Sequence, residues 1–502
     1  MLISHFLATA LCIVLVWAKS IPSKDIKPNV FILTDISNEP DDAESLVRML
    51  LYSNEINVSG IVATTSYWLN DTIHDEDIYP ILNAYEKVHP NLLKHSPSYP
   101  PASYFRKIVS TGYPVYGLAA LKYEKISTGA SKLIEAVDKT SPDETIWILV
   151  WGGAGVLAES LNEISKTRST EEVENFIKKL RVYSISDQDD AGVWIRYRYP
   201  AIFYISSSHG FNQYSLSTWV GISGESYNRF EEGGPDSSYV AKDWLSKYIR
   251  HASPLGEAYP EYMFIMEGDT PSLLHVLPNG LNDPESPKHG GWGGRYDLID
   301  ISGQINHYAD VTDDVLGKDG KWHCSNKATI WRWRDAYQND FAGRMQWTVK
   351  SFNDANHAPI VIVNGSDSAT PLELKVEAGT TVYLDASATY DLDKKDKLEF
   401  RWFHYRDVTA TNSNTFKEVP EIAVSGNTTK VVSFKVPEFE KACIHHFGRY
   451  KGADHCKSYH IILEVTDSGS PPMRGYKRVI LRTHPSFSDQ KSREEPAGHD
   501  EL

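Results

Sequence analysis

Little in this chain is basic, and little of it is cysteine. The 502 residues hold 51 Lys and Arg against 66 Asp and Glu, a formal net charge of −15. Such a balance argues against binding nucleic acid or an anionic membrane through a basic surface. Four cysteines are too few for a disulfide-built scaffold, so an ordinary hydrophobic core must hold the fold. Past the first twenty residues no run is long and apolar enough to cross a bilayer. There is no internal repeat, and the one low-complexity stretch is the polar tail after about Ser486.

The two ends of the chain are informative. Phe6 to Trp17 is apolar but short, and Ala18-Lys19-Ser20 is a small-x-small cleavage signal. Residues 1–20 therefore read as a secretory signal, although the stretch before Phe6 has no Lys or Arg. Its removal takes away Lys19 and no acid, leaving −16. The last four residues, His499-Asp500-Glu501-Leu502, form an endoplasmic-reticulum retrieval address. The expected location is the endoplasmic-reticulum lumen, and the expected partner of the tail is a retrieval receptor.

Asn70, Asn364 and Asn427 head glycosylation sequons that suit this compartment. Asn57 heads a fourth, close to an expected buried strand. Cys12 leaves with the signal. Cys443 and Cys456 lie close enough in the chain for a disulfide, and Cys324 is left as a thiol expected to be buried and structural.

About 480 mature residues exceed one core, so two domains are expected, 21–355 and 356–485, with 486–502 a disordered tail. In the first domain strands and helices alternate. Expected buried strands are Val30–Leu33, Val58–Ala63, Thr145–Trp151, Arg181–Ile185 and Ala201–Ser206. Helices are expected over Ala43–Ser53, Ser131–Thr140 and Leu157–Ser165. That pattern is a doubly wound α/β fold with a mostly parallel sheet, whose ligands bind at the carboxyl ends of the strands. From about His357 the chain turns to short alternating strands: Pro359–Val363, Leu372–Val376, Thr380–Leu384, Leu398–Phe403, Lys430–Val436, His460–Val465 and Arg478–Leu481. These predict an all-β, immunoglobulin-like sandwich.

The chemistry concentrates in Asn29 to Asp42, NVFILTDISNEPDD. Asp35, Asp41 and Asp42 fall between a buried strand and a helix. Asp41 and Asp42 suit the start of a helix, which is the plain alternative reading. Three carboxylates in eight residues repel one another, and oxygen ligands of this kind favour Ca²⁺ or, less well, Mg²⁺.

Two stretches carry a resemblance. TDISNEPDDAESLVRMLLYSNE is similar to the aspartate motif of the ribonucleoside hydrolases, and WGGAGVLAESL to their Gly-rich turn. From about Lys27 to Leu481 the chain resembles more closely the cellulose-binding, nucleoside-hydrolase-like family, through EPDDAESLVRMLLYSNE, GIVATTSYW, PVYGLAAL, SISDQDDAGVWIR and EGDTPSLLHVLPNGLNDPESPKHGGWGGRYD. VEAGTTVYLDASATYDLD with RWF looks like the sandwich of polycystic-kidney-disease-type modules. The resemblance implies a Ca²⁺-dependent hydrolase of a glycosyl bond, N-glycosidic in the relatives. It implies Asp35 as metal ligand and general base, Asp41 and Asp42 as ligands, Gly155 as the carbonyl ligand and Asp269 as the late Asp closing the site.

Two departures stand out. The loop between Asp35 and Asp41 is two residues longer than in ribonucleoside hydrolases, and Gly268 stands where a His would help the leaving group. Glu267, His74, His209 and His289 are candidates for that acid. Asp187, Asp189 and Asp190, at another strand end, are candidate sugar ligands, and Trp68, Trp194 and Trp292 candidate stacking rings. The expected ligand is a sugar-containing small molecule or glycan. A carbohydrate-binding protein that kept the fold and lost the activity is the alternative.

Removing His499–Leu502 is expected to send the glycosylated protein into the medium, scored by blotting cells and medium. Equal retention with and without the four residues would exclude retrieval by this tail.

Overall fold

The computed structural model describes residues 21, 27–224, 230–300, 302–409, 419–443 and 456–485. The signal segment and the HDEL tail lie outside these residues.

The first domain is built on an eight-stranded sheet. Its strands are β1 (Asn29–Thr34), β2 (Asn57–Ala63), β3 (Val109–Thr111), β4 (Ile146–Val150), β5 (Leu180–Ser184), β6 (Phe203–Ile205), β7 (Tyr296–Leu298) and β8 (His307–Asp310), in the order β3-β2-β1-β4-β5-β6-β8-β7. All neighbours run parallel except the edge pair β7–β8. The five central apolar runs form strands because both faces are covered by helices. β1 and β4 are buried along nearly their whole length. Val30, Ile32, Trp147 and Leu149 belong to one core, and Phe31, Leu33, Ile146 and Ile148 to the other. Alternate residues point to opposite faces, so one strand feeds both layers.

The order reverses between β1 and β4, the switch point where open α/β sheets bind ligands. Helices Asp41–Tyr52, Thr128–Lys139 and Gly155–Thr167 stand near their expected places, with ends shifted by one to three residues. A helix also follows the fourth expected strand, Ala191–Arg198.

The second domain is strand-rich. Leu372–Glu377, Arg474–His484, Ser458–Thr466 and Glu399–His404 form one sheet in that order, and Thr381–Asp385 pairs with Val431–Lys435 in another. Val382, Leu384, Val432 and Phe434 pack with Trp402, Tyr459, Ile461 and Leu463 in one hydrophobic core, as in a sandwich. Pro359–Val363 is not a strand. It makes only isolated bridges, Ile360 to Tyr390 and Val363 to Ser366, and Pro359 has no N–H for a ladder. Cys443 and Cys456 are joined by a disulfide, as expected.

The two domains share a core. Ser458–Thr466 is buried on both faces because Ile462, with Met473 and Tyr476, joins the cluster that contains Leu46 and Leu50. Arg478 is fully buried and donates to the carbonyls of Leu281 at 2.7 Å and Gly290 at 2.8 Å. The sandwich thus braces the segment that follows Asp269. Cys324 departs from expectation: it is an exposed free thiol. It lies on Trp322–Ser325, which pairs only with Asp313–Leu316 in a two-stranded sheet, too small to bury both faces.

Candidate functional site

β1 ends at Thr34 and delivers Asp35 to the switch point, 3% exposed. The loop turns at once, with Asn38 N–H donating to Asp35 O at 3.1 Å and Ser37 held at φ 78°. A positive φ at a non-glycine residue beside a ligand site is stored strain. The next helix begins at Asp41. Its N-cap is Pro40 and no side chain caps it, so Asp41 and Asp42 are not there as capping groups. Asp42 instead accepts a hydrogen bond from the Thr34 hydroxyl, which turns its carboxylate back to the strand end.

Asp269 arrives from far along the chain. It precedes helix Thr270–Val276, whose Thr270 hydroxyl donates to Ser45 at 2.9 Å. Glu267, at φ 52°, makes the bend. Its carboxylate is sealed in an ion pair with Arg48 at 2.5 and 2.9 Å and accepts from the Tyr259 hydroxyl at 2.8 Å.

The result is a cluster in which carboxylate oxygens of Asp41, Asp42 and Asp269 all lie within 4.8 Å of one another. Asp35 faces the same cavity of about 430 Å³, which Asn38, Glu39, Trp68, Trp151, Gln188, Asn212, Tyr214 and Trp219 also line. Oδ2 of Asp35 and Oδ2 of Asp269 are buried and find no hydrogen-bond partner among the described residues. Unpaired buried carboxylate oxygens are costly. Burial accordingly pushes the Asp35 carboxyl up to about 6. Burial, with the charges of Glu39 and Asp35, pushes Asp41 up to about 8. Asp42 and Asp269 are raised well above the usual range by burial and by the neighbouring carboxylates. An all-oxygen set in this state fits a hard divalent cation.

Two glycines explain why the turn chemistry is as it is. A Cβ at Gly152 would come within 2.7 Å of Asp35 Oδ1. A Cβ at Gly268 would come within 2.6 Å of Asp41 Oδ2, so no larger residue fits beside Asp269 without a shift. A larger side chain there would push on the Asp41 carboxylate and on Trp219.

The other expected residues divide. Trp68 lines the cavity, 47% exposed. Asp189 is buried behind it, accepting from Gly155 N–H at 3.0 Å and Ala191 N–H at 2.9 Å. Gly155 itself is not among the lining residues; a Cβ there would come within 3.2 Å of the Gly117 carbonyl. Asp187 is paired with Arg196 at 2.5 Å, and Asp190 accepts from Leu118 N–H at 2.8 Å. These three acids hold loops, and the cavity residue between them is Gln188. Trp194 packs edge-on to Tyr199, away from the cavity. Trp292 is 2% exposed, edge-on to Tyr337 and Tyr476 beneath the sandwich, and cannot stack on a ligand.

Among the acid candidates, Glu267 is sealed and His289 is bound to Asp283 at the domain junction. His74 pairs with Glu76 at the surface. His209 contacts Ser217 at 3.2 Å, on the segment that carries Asn212 and Tyr214. The sequence reading missed Gln188, Tyr214 and Trp219. Tyr214 and Trp219 lie in the aromatic-rich GFNQYSLSTW, which has no strand or helix period, and Gln188 lies among the acids of Ser186-Asp187-Gln188-Asp189-Asp190.

Fold and site together define a nucleoside-hydrolase-like α/β protein. The family model described as cellulose-binding Sde182, nucleoside hydrolase-like domain, matches residues 29–296, and that of the cellulose-binding protein Sde0182, C-terminal domain, matches 381–483. A solved nucleoside hydrolase-related protein from Saccharophagus degradans, associated with carbohydrate metabolism, is similar at 31% identity and a TM-score of 0.73. That match covers 91% of this chain and 100% of that one. The chain belongs to this cellulose-binding, nucleoside-hydrolase-like family. The effector protein XOO4466, at 10% identity and a TM-score of 0.36 over 65% of this chain and 95% of its own, is too distant to carry an argument. Comparison with curated proteins gives no match.

The raised Asp41 carboxyl has a consequence for stability. A folded-state value of about 8 against an ordinary 3.8 means that the contribution is present at low pH and lost as pH rises through that window. In chelator, Asp41→Asn is therefore expected to gain in melting temperature over wild type as pH rises from about 4 to 8. Added Ca²⁺ should close that gap. A pH-independent difference would show that Asp41 is not held protonated.

Proposed function

We propose that the protein is a divalent-cation-dependent hydrolase of glycosyl bonds in glycans or related sugar compounds, working in the endoplasmic-reticulum lumen. The observation that carries this is the convergence of Asp41, Asp42 and Asp269 within 4.8 Å, with unpartnered oxygens on Asp35 and Asp269, at the sheet's switch point. Asp41, Asp42 and Asp269, with Asp35 beside them, would hold the ion, and Ca²⁺ suits the oxygen set better than Mg²⁺. A bound cation would supply neutralising charge, a grip on sugar hydroxyls and acidification of water.

Asp35 is held rigidly by the end of a buried strand and takes the proton from the attacking water. Water oxygen bonds to the anomeric carbon, and the glycosyl bond breaks toward the departing group. The surrounding carboxylates stabilise the positive charge that develops on the sugar. Gln188 and Asn212, both on the cavity wall, can orient hydroxyls.

A second reading is a binding protein without turnover. It is favoured by one observation: among the described residues, no histidine lines the cavity to protonate a leaving group. A released-sugar assay over nucleosides, ribosides and glycans, with and without chelator, separates the two. Chelator-sensitive release is expected, and Asp35→Asn is expected to fold, bind sugar and lose on the order of 10²–10⁴-fold in turnover. Equal turnover in Asp35→Asn would remove Asp35 as the base. Glycan binding with no release over the whole panel would establish the second reading.

A further inference from the structure

We propose that the site takes a neutral oligosaccharide of at least two rings, the outer ring stacking on an aromatic lip made by Tyr67, Trp68 and Phe211. The proposal rests on the reading of the cavity as a sugar site and names what that sugar is attached to.

The lip is an exposed apolar patch built from two segments. Tyr67 and Trp68 follow β2, and Phe211 comes from the turn Phe211–Leu216. They are 49%, 47% and 44% exposed. Three large rings left half in water at one place mark a contact surface. They pack on one another, with centroids 5.0 Å apart for Tyr67–Trp68, 4.7 Å for Tyr67–Phe211 and 5.8 Å for Trp68–Phe211. The row continues inward. Tyr214 is 6.0 Å from Trp68, and buried Trp219 is 5.3 Å from Tyr214. Trp219 in turn lies against Gly268, beside Asp41. A row of aromatic rings in contact thus runs from the lip to the carboxylates.

Charge selects the ligand class. The described lining residues include Asp35, Glu39, Asp41, Asp42 and Asp269 with the amides of Asn38, Gln188 and Asn212, and no Lys, Arg or His. Phosphate recognition needs cationic side chains or a free helix N-terminus. The N-terminal turn here is filled by Asp41, Asp42 and Glu44. The guanidinium of Arg48, on the same helix, is fully buried against Glu267. Five carboxylates around one divalent cation would still leave the wall net negative, so sugar phosphates and nucleotides are disfavoured. A ligand rich in hydroxyl donors matches a wall of acceptors, and the apolar faces of a second ring match the lip.

The test is calorimetry in Ca²⁺ with three probes, methyl β-glucoside, cellotetraose and adenosine 5′-monophosphate. Wild type, Trp68→Ala, Phe211→Ala and Asp42→Asn are compared, with folding checked by circular dichroism. Wild type is expected to bind cellotetraose about tenfold more tightly than the monosaccharide, and not to bind the nucleotide. Either lip variant should collapse that ratio toward one. A ratio unchanged in both folded lip variants would overturn the lip while leaving the sugar site standing, provided Asp42→Asn loses binding. Tighter binding of the nucleotide than of cellotetraose would overturn the ligand class. Absence of binding by either sugar to wild type would overturn the proposal and the sugar-site reading together.

Discussion

Four carboxyl groups crowd one end of the parallel sheet, and their mutual repulsion is the constraint around which the domain is arranged. Asp35, Asp42 and Asp269 are almost wholly buried, and Asp41 opens on the same cavity. Buried like charges either keep their protons or recruit a cation. Among the described residues, nothing in the surrounding wall supplies one. Arg48, the charge that could have neutralised them, is diverted to Glu267. The protein has therefore placed its compensating cation behind the site, where it fixes the backbone that carries Asp269.

That arrangement depends on parts far apart in the chain. Asp35 and Asp42 are set by β1 and its own short loop. Asp269 is set by Glu267, Tyr259 and Thr270, each tied to helix Asp41–Tyr52 or to the groups around Arg48. The sandwich enters the same core through Ile462, Met473 and Tyr476, and Arg478 pins the carbonyls of Leu281 and Gly290. A second domain that shares core with the first stiffens the chain just after the last carboxylate.

Much of this was legible in the sequence because it is local. Continuous apolar runs ending in polar residues marked β1, β2, β4 and β5, and alternation marked the sandwich strands. The carboxylates were legible because three of them sit within eight residues. The failures have a common cause. Trp292 and Cys324 are decided by what packs on them from elsewhere: a Gly-flanked Trp looked open but lies under the sandwich, and a lone Cys looked buried but lies on a two-stranded sheet. Asp187 and Asp190 sit at a strand end, yet Arg196 and the Leu118 amide claim them. The aromatic lip comes from irregular segments, where no period announces which face a ring will take. Gly268 looked like a lost catalytic feature; in the fold a side chain there would press on Asp41 and Trp219.

We propose that these carboxylates hold one divalent cation. Crystals soaked in Mn²⁺, with data collected at the manganese edge, test it most directly. One strong anomalous peak bonded to oxygens of Asp41, Asp42 and Asp269, absent in Asp42→Asn, is expected. No peak there in wild type, or a peak confined to the acidic group Asp391, Asp393 and Asp396 of the sandwich, would contradict it.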